Sequence, residues 1–232
     1  MIKFQRSADR SYVRRGSQET WMTFDLANAS DPFQRGFRAL GSLNEVRLLP
    51  GTKFTLPCEG NQESVTYVRE GSLVVRQRSH KGECLRPGTY QRAKSHRLMT
   101  ARVTDDSPSQ GAHLFVSSLT VHEEEGEPSS ELRHYPFADR RGTLKLIASP
   151  DGYAASLRLL EDVRIYSSLL DPGHHVIHEL RPGRGAWLHV VAGRVRLVDQ
   201  SLEGGDGASL DEELAVSFTA EETSEILLFD LA

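Results

Sequence analysis

The chain has 232 residues, 38% hydrophobic and 26% charged, with a formal net charge of −4. That balance describes a globular protein, longer than one average domain and too apolar for a disordered chain. No apolar run approaches the roughly 20 residues that span a bilayer, the amino terminus shows no hydrophobic secretory core, and the acidic balance speaks against a dedicated nucleic-acid binder.

Read in chain order, the sequence is a succession of short strands. The stretches "VTYV" (65–68), "SLVVRQ" (72–77) and "AHLFVSSLTV" (112–121) fall in the first half. "LKLIA", "SLRLL", "VRIYSSLL", "WLHVV", "RVRLVD", "LAVSFTA" and "EILLFDL" follow after residue 143. Each is β-branched or alternating, and Gly, Pro, Asp or Asn punctuates most of the gaps, which predicts a sandwich or barrel. No long amphipathic helix is predicted. The polar, proline-containing segment before residue 143 reads as a linker with at most one helical turn.

Charge is segregated along this order. Nine Lys/Arg stand against two acids between Arg69 and Arg102, and no base lies between Val103 and Leu132. Ten acids and no base follow Arg196. The simplest reading is solvated strand faces, with an anion-binding patch as the alternative. Cys58 and Cys84 make no disulfide framework, so a reducing cytoplasm is the expected compartment.

The second half repeats the first at an offset of 122 residues. Leu48-Leu49-Pro50-Gly51 stands 20 positions ahead of Gly71, and Leu170-Asp171-Pro172-Gly173 stands 20 ahead of Gly193. "LRPGTYQ" (85–91) then answers to "LEGGDGA" (202–208). Three landmarks in one order predict a duplicated barrel, each reversing its strands at glycine turns.

These motifs together resemble the pirin family of bicupins, in its bacterial pirin-like branch. The resemblance runs through Thr23-Phe24, Asp31-Pro32, Leu43-Asn44-Glu45, Glu63-x-Val65-Thr66-Tyr67-Val68 and Arg86-Pro87-Gly88. In the second half it runs through "RRGTLKLIASPDG", "VVAGRVRL" and "EILLFDL". It implies an all-β protein of two tandem jelly-roll (cupin) barrels: an N-terminal barrel at 1–125, a linker at 126–142 and a C-terminal barrel at 143–232. The N-terminal segment is expected to pack on the second barrel as well.

The resemblance also implies a divalent metal held by three histidines and a carboxylate, and here the chain departs from the pattern. The corresponding positions fall on Pro57, Glu59, Ala101 and Val103. Proline, alanine and valine offer a metal no side-chain ligand, and one carboxylate does not make a site. The expectation is therefore no metal and no cofactor, with iron or another divalent transition metal as the alternative. A candidate pocket is assigned to Cys58, Glu59, Glu63, Tyr67 and His96, in which Glu59 and Glu63 form a polar wall opposite an apolar one, and Glu63 finds a polar partner. His174, His175 and His178 are taken as surface or turn residues, for want of a carboxylate partner in the local sequence.

No nucleophile elbow, P-loop or dinucleotide fingerprint is present. The expected protein is a cytoplasmic, pirin-like bicupin, a monomer or homodimer, with no catalytic residues assigned. It binds a small molecule or a protein partner, without membrane association or direct nucleic-acid contact. The alternative is an oxidoreductase of the metal-dependent quercetin 2,3-dioxygenase type.

Overall fold

Alternation with a period of two shapes nearly every element, because successive side chains on a strand point to opposite faces. A computed structural model describes residues 1–24, 35–56, 62–76, 83–94, 99–103, 111–121 and 129–232. In chain order the strands begin with β1 (Ile2–Gln5), β2 (Ser11–Arg15), β3 (Gln18–Met22), β4 (Leu40–Leu48), β5 (Lys53–Leu56) and β6 (Gln62–Glu70). Next come β7 (Leu73–Arg76), β8 (Glu83–Leu85), β9 (Thr89–Lys94), β10 (Met99–Val103), β11 (Ala112–Thr120) and β12 (Ser129–His134). A one-turn helix, α1 (Phe137–Arg140), leads to β13 (Lys145–Ser149), β14 (Leu157–Arg158), β15 (Val163–Leu170), β16 (His175–Glu179) and β17 (Gly185–Ala192). The chain ends with β18 (Arg194–Leu197), β19 (Gln200–Glu203), β20 (Gly207–Leu210), β21 (Ala215–Ala220) and β22 (Ser224–Leu231).

Two compact units result, each made of a seven-stranded and a four-stranded sheet. In one unit the large sheet runs β12-β9-β6-β11-β4-β3-β2 and the small one β5-β10-β7-β8. In the other the orders are β1-β20-β17-β22-β15-β13-β14 and β16-β21-β18-β19. Strand for strand, β9-β6-β11-β4 corresponds to β20-β17-β22-β15, as the repeat predicts. The described ladders are antiparallel apart from the two-residue pairing of β13 with β14. The glycine landmarks match in backbone conformation too. Gly51, Gly71 and Gly88 have φ of 73°, 75° and 86°, and their counterparts Gly173, Gly193 and Gly205 have 80°, 82° and 91°. Glycine adopts such angles at no steric cost.

Each unit has an apolar core on one face of its large sheet. The first is built on Val46, Leu48, Val68, Leu73, Val75, Leu114 and Val116. The second includes Leu170, Val176, Ala186, Leu188, Phe218, Ile226 and Leu228.

Two boundaries differ from expectation. Residues Met1–Arg10 belong to the C-terminal unit, because β1 pairs with β20 and sends Ile2 and Phe4 against that unit's core. The segment expected as a linker is structured at its centre. β12 continues the first sheet on β9 while Leu132 packs on its core. The expected helical turn is α1, whose Arg140 is fully buried and donates to Ser167 and to Glu225 at 3.0 Å.

Candidate functional site

The inner face of the N-terminal barrel changes character along its strands. Towards one end the core-facing positions are Val46, Leu48, Val68 and Leu114. Towards the other, the same face carries Thr66 opposite Gln91, Asn44 opposite Val116, and Ser64 opposite Ser118. Ser64, Thr66, Gln91 and Ser118 are all buried. Gln91 Nε2 donates to Ser130 Oγ at 3.0 Å, and Ser64 donates to the Ala93 carbonyl. The amide oxygens of Asn44 and Gln91 are buried and have no hydrogen-bond partner among the described residues. An unmet buried acceptor costs about 1–3 kcal/mol, so a donor brought into this end of the barrel would be favoured. The wall is polar and, on these strands, uncharged.

This end is where the predicted pocket segments attach. Residues 57–61 and 95–98, which carry Pro57, Cys58, Glu59 and His96, lie outside the described residues. The strand ends on either side of them are neighbours: Leu56 pairs with Met99, and Glu63 with Lys94. Ala101 stands at the register position between Phe54 and Val75, and Val103 opposite Leu73. All three of those partners belong to the apolar core. Two of the four positions that carry metal ligands in the pattern therefore fall on strand β10, at register positions that pair with core residues. Neither holds a ligating side chain.

Glu63 and Tyr67 are placed elsewhere than expected. Val68 and Ala93 face the core, so alternation turns Glu63, Val65 and Tyr67 to the opposite face of the sheet. There Tyr67 stacks on Tyr90 with ring centroids 4.4 Å apart, and Phe115 lies 6.3 Å beyond. Glu63 is fully buried and accepts from Arg92 Nε, whose Nη1 also donates to Ser129. The expected polar partner of Glu63 exists, but the pair stiffens the outer face and does not line the barrel. The polar inner wall comes instead from serine, threonine and amide side chains, which carried no distinctive spacing in the sequence.

The second barrel corrects the reading of the histidines. His175 is exposed and lies 2.9 Å from Thr219 Oγ1. His178 pairs with Val216 of the core and lies inside, its Nε2 2.9 Å from Asp230 Oδ2. Arg184 donates through Nε to the other Asp230 oxygen and through Nη1 to Asp162 Oδ2 at 2.8 Å. Burial alone would raise the Asp230 carboxyl. The hydrogen bonds and charges of His178 and Arg184 outweigh it and hold the carboxyl below its ordinary range. Because that carboxylate only accepts, His178 Nε2 is the donor. Tyr166, whose ring lies 4.8 Å from that of His178, has its phenol raised, first by burial and then by the Asp230 charge. The carboxylate that the histidine lacked locally sits 52 residues away. No group of three or more metal-ligating side chains occurs among the described residues, and no described helix is long and apolar enough to cross a membrane.

Comparison with known proteins agrees with this architecture. The profile of the quercetinase C-terminal cupin domain matches residues 146–231. Over its full length the chain is 28% identical to a quercetin 2,3-dioxygenase of Escherichia coli (strain K12), covering 99% of that protein. It is 25% identical to a pirin-like protein of Caulobacter vibrioides over 94% of this chain and 95% of the relative. Among solved structures it resembles the bacterial pirin YhhW from Escherichia coli in complex with nickel(II). The TM-score is 0.87 at 27% identity, over 100% of this chain and 99% of the other.

Proposed function

Because the chain belongs to the pirin-like bicupins, whose metal-ligand positions here hold other residues, we propose that it acts by binding and not by metal-dependent catalysis. The observation that carries this reading is the pair Ala101 and Val103, at register positions opposite Phe54, Val75 and Leu73 of the barrel core. Alanine and valine have no donor atom, and Pro57 adds none. With Glu59 as the one remaining carboxylate at these positions, the protein ligands cannot compete with water for a divalent ion. The occupant is a small molecule in the first barrel, met by the unpaired amide oxygens of Asn44 and Gln91, or a protein partner. The protein is soluble in the cytoplasm and uses no cofactor.

A second reading has its own support. The similarity to a protein named for quercetin 2,3-dioxygenase activity and to a nickel-bound pirin favours a metal-dependent dioxygenase. Metal analysis of freshly purified protein separates the two. The binding reading expects well under one equivalent of iron, nickel, copper, manganese or zinc, no rise in Tm with Fe(II) or Ni(II), and no quercetin cleavage. An ion present at 100 times its Kd would add about 2.7 kcal/mol of stability, so binding would be visible. The variant carrying Pro57→His, Glu59→His, Ala101→His and Val103→Glu should gain metal binding that the native chain lacks. Stoichiometric metal in the native protein, or quercetin turnover that a chelator abolishes, establishes the enzyme instead.

A further inference from the structure

The far end of the first barrel's large sheet carries a cleft of about 650 Å³, lined among others by Arg47, Arg69, Glu70 and His113. Glu70 closes β6, whereas the polar rim described above lies beside Gln62 at its start. Eight residues at about 3.3 Å each separate them by roughly 26 Å along the strand. The volume is within the range of small-molecule sites, about 300–1,000 Å³.

The cleft is built upward from a buried carboxylate. His113 Nε2 lies 2.9 Å from Glu45 Oε1, with both side chains less than one-tenth exposed. Arg69 Nη1 lies 3.3 Å from His113 Nδ1. A guanidinium only donates, so Nδ1 accepts and Nε2 carries the proton given to Glu45. His113 is thereby set in one tautomer with both nitrogens engaged, and its ring rests 5.1 Å from Phe115. It acts as a spacer that positions Arg69.

Arg47 reaches the same Glu45 oxygen through Nη2 at 3.2 Å, and its guanidinium carbon lies 5.2 Å from the Trp21 ring centre. One buried acid thus organises two guanidiniums around a single cleft. The other acid, Glu70, is bonded to Arg69 at the exposed rim. The cleft thus gathers two arginines, a histidine and two acids, with the Arg69 side chain one-quarter exposed and that of Arg47 just over half exposed, so that both guanidiniums also face solvent. Planar guanidiniums held in fixed orientation are suited to the paired oxygens of a phosphate or carboxylate. Arg69 also begins the stretch in which basic residues outnumber acids nine to two.

We propose that this cleft binds a small oxyanion, the phosphate or carboxylate group of a metabolite, between Arg47 and Arg69. The site is independent of the barrel rim and of whether a metal binds there. Calorimetric titration of the full chain at low ionic strength, with inorganic phosphate in one arm and malonate in the other, tests it. The expected result is saturable 1:1 binding of at least one anion, weakened tenfold or more by Arg47→Met and by Arg69→Met. Arg14→Met, on an exposed hairpin, should leave it unchanged. The tighter arm identifies the group recognised. Imidazole resonances provide a readout that needs no variant: His113 should shift saturably with the anion while His134 does not. Absence of saturable binding in both arms, binding indifferent to both arginine substitutions, or an unmoved His113 overturns the proposal.

Discussion

Arg184 and His178 reach one carboxylate, Asp230, from 46 and 52 residues away, and the energetics of that end of the second barrel rest on it. Removing one partner of a buried ion pair leaves the other charge desolvated, at about 3–5 kcal/mol. Asp230→Ala should lower the denaturant midpoint accordingly, at an unchanged m value, because the fold and its exposed surface stay the same. The carboxyl lies below its ordinary value in the folded protein. Its contribution is therefore complete above about pH 4, the unfolded value, and is lost as the pH falls through the folded one. Chemical unfolding of both proteins between pH 7 and pH 3 should show their stability difference shrinking in acid. A gap that is constant or widens would mean that Asp230 is not the stabilising anion. None of this was legible locally, since "GHHVIHEL" looks like a surface stretch and its carboxylate partner comes from the last strand.

Elements show the repeat more deeply than spacing does. Gly71 and Gly193 occupy equivalent turns, and a Cβ added at either would come 2.3 Å from a carbonyl oxygen, that of Gly111 or of Thr223. Gly51 and Gly173 have similar positive φ but nothing within 4 Å of such a Cβ. Gly51→Ala and Gly173→Ala should each cost about 1–2 kcal/mol, the left-handed penalty alone. Gly71→Ala and Gly193→Ala should cost about 2–5 kcal/mol, since overpacking against backbone adds to that strain. Four thermal melts decide the point, with the same ranking expected in both barrels. Equal losses within each pair would show that the turns relax around a methyl group. The spacing of glycines could be read directly from the sequence, whereas which of them abuts backbone could not.

At the scale of the whole molecule, the chain's two ends meet in one barrel. β1 pairs with β20 and so takes, in the C-terminal unit, the sheet position that β12 takes beside β9 in the other. Deleting residues 1–5 should expose the backbone edge of Gly207–Leu210 and remove Ile2 and Phe4 from the core contact. Amide hydrogen exchange should then accelerate in β20 and β17, while β6 and β9 keep their protection. Uniform acceleration across both units would contradict this assignment of the amino terminus.

The sequence by itself determined the strands, the duplication and the absence of a donor side chain at three of the four positions that the family resemblance assigns to metal ligands. Those properties are local. A two-residue alternation, a glycine at a turn, and the absence of a donor atom in proline, alanine or valine are fixed by residue type wherever the chain goes. Tertiary structure alone decided that Glu63 and Tyr67 turn away from the barrel interior, because the facing of a strand depends on which neighbours build the core. It likewise decided that His178 has a carboxylate and that Glu45 holds Arg47 directly and Arg69 through His113. Such pairings join strands far apart in the chain, and long-range register, unlike periodicity, leaves no mark on the residues between them.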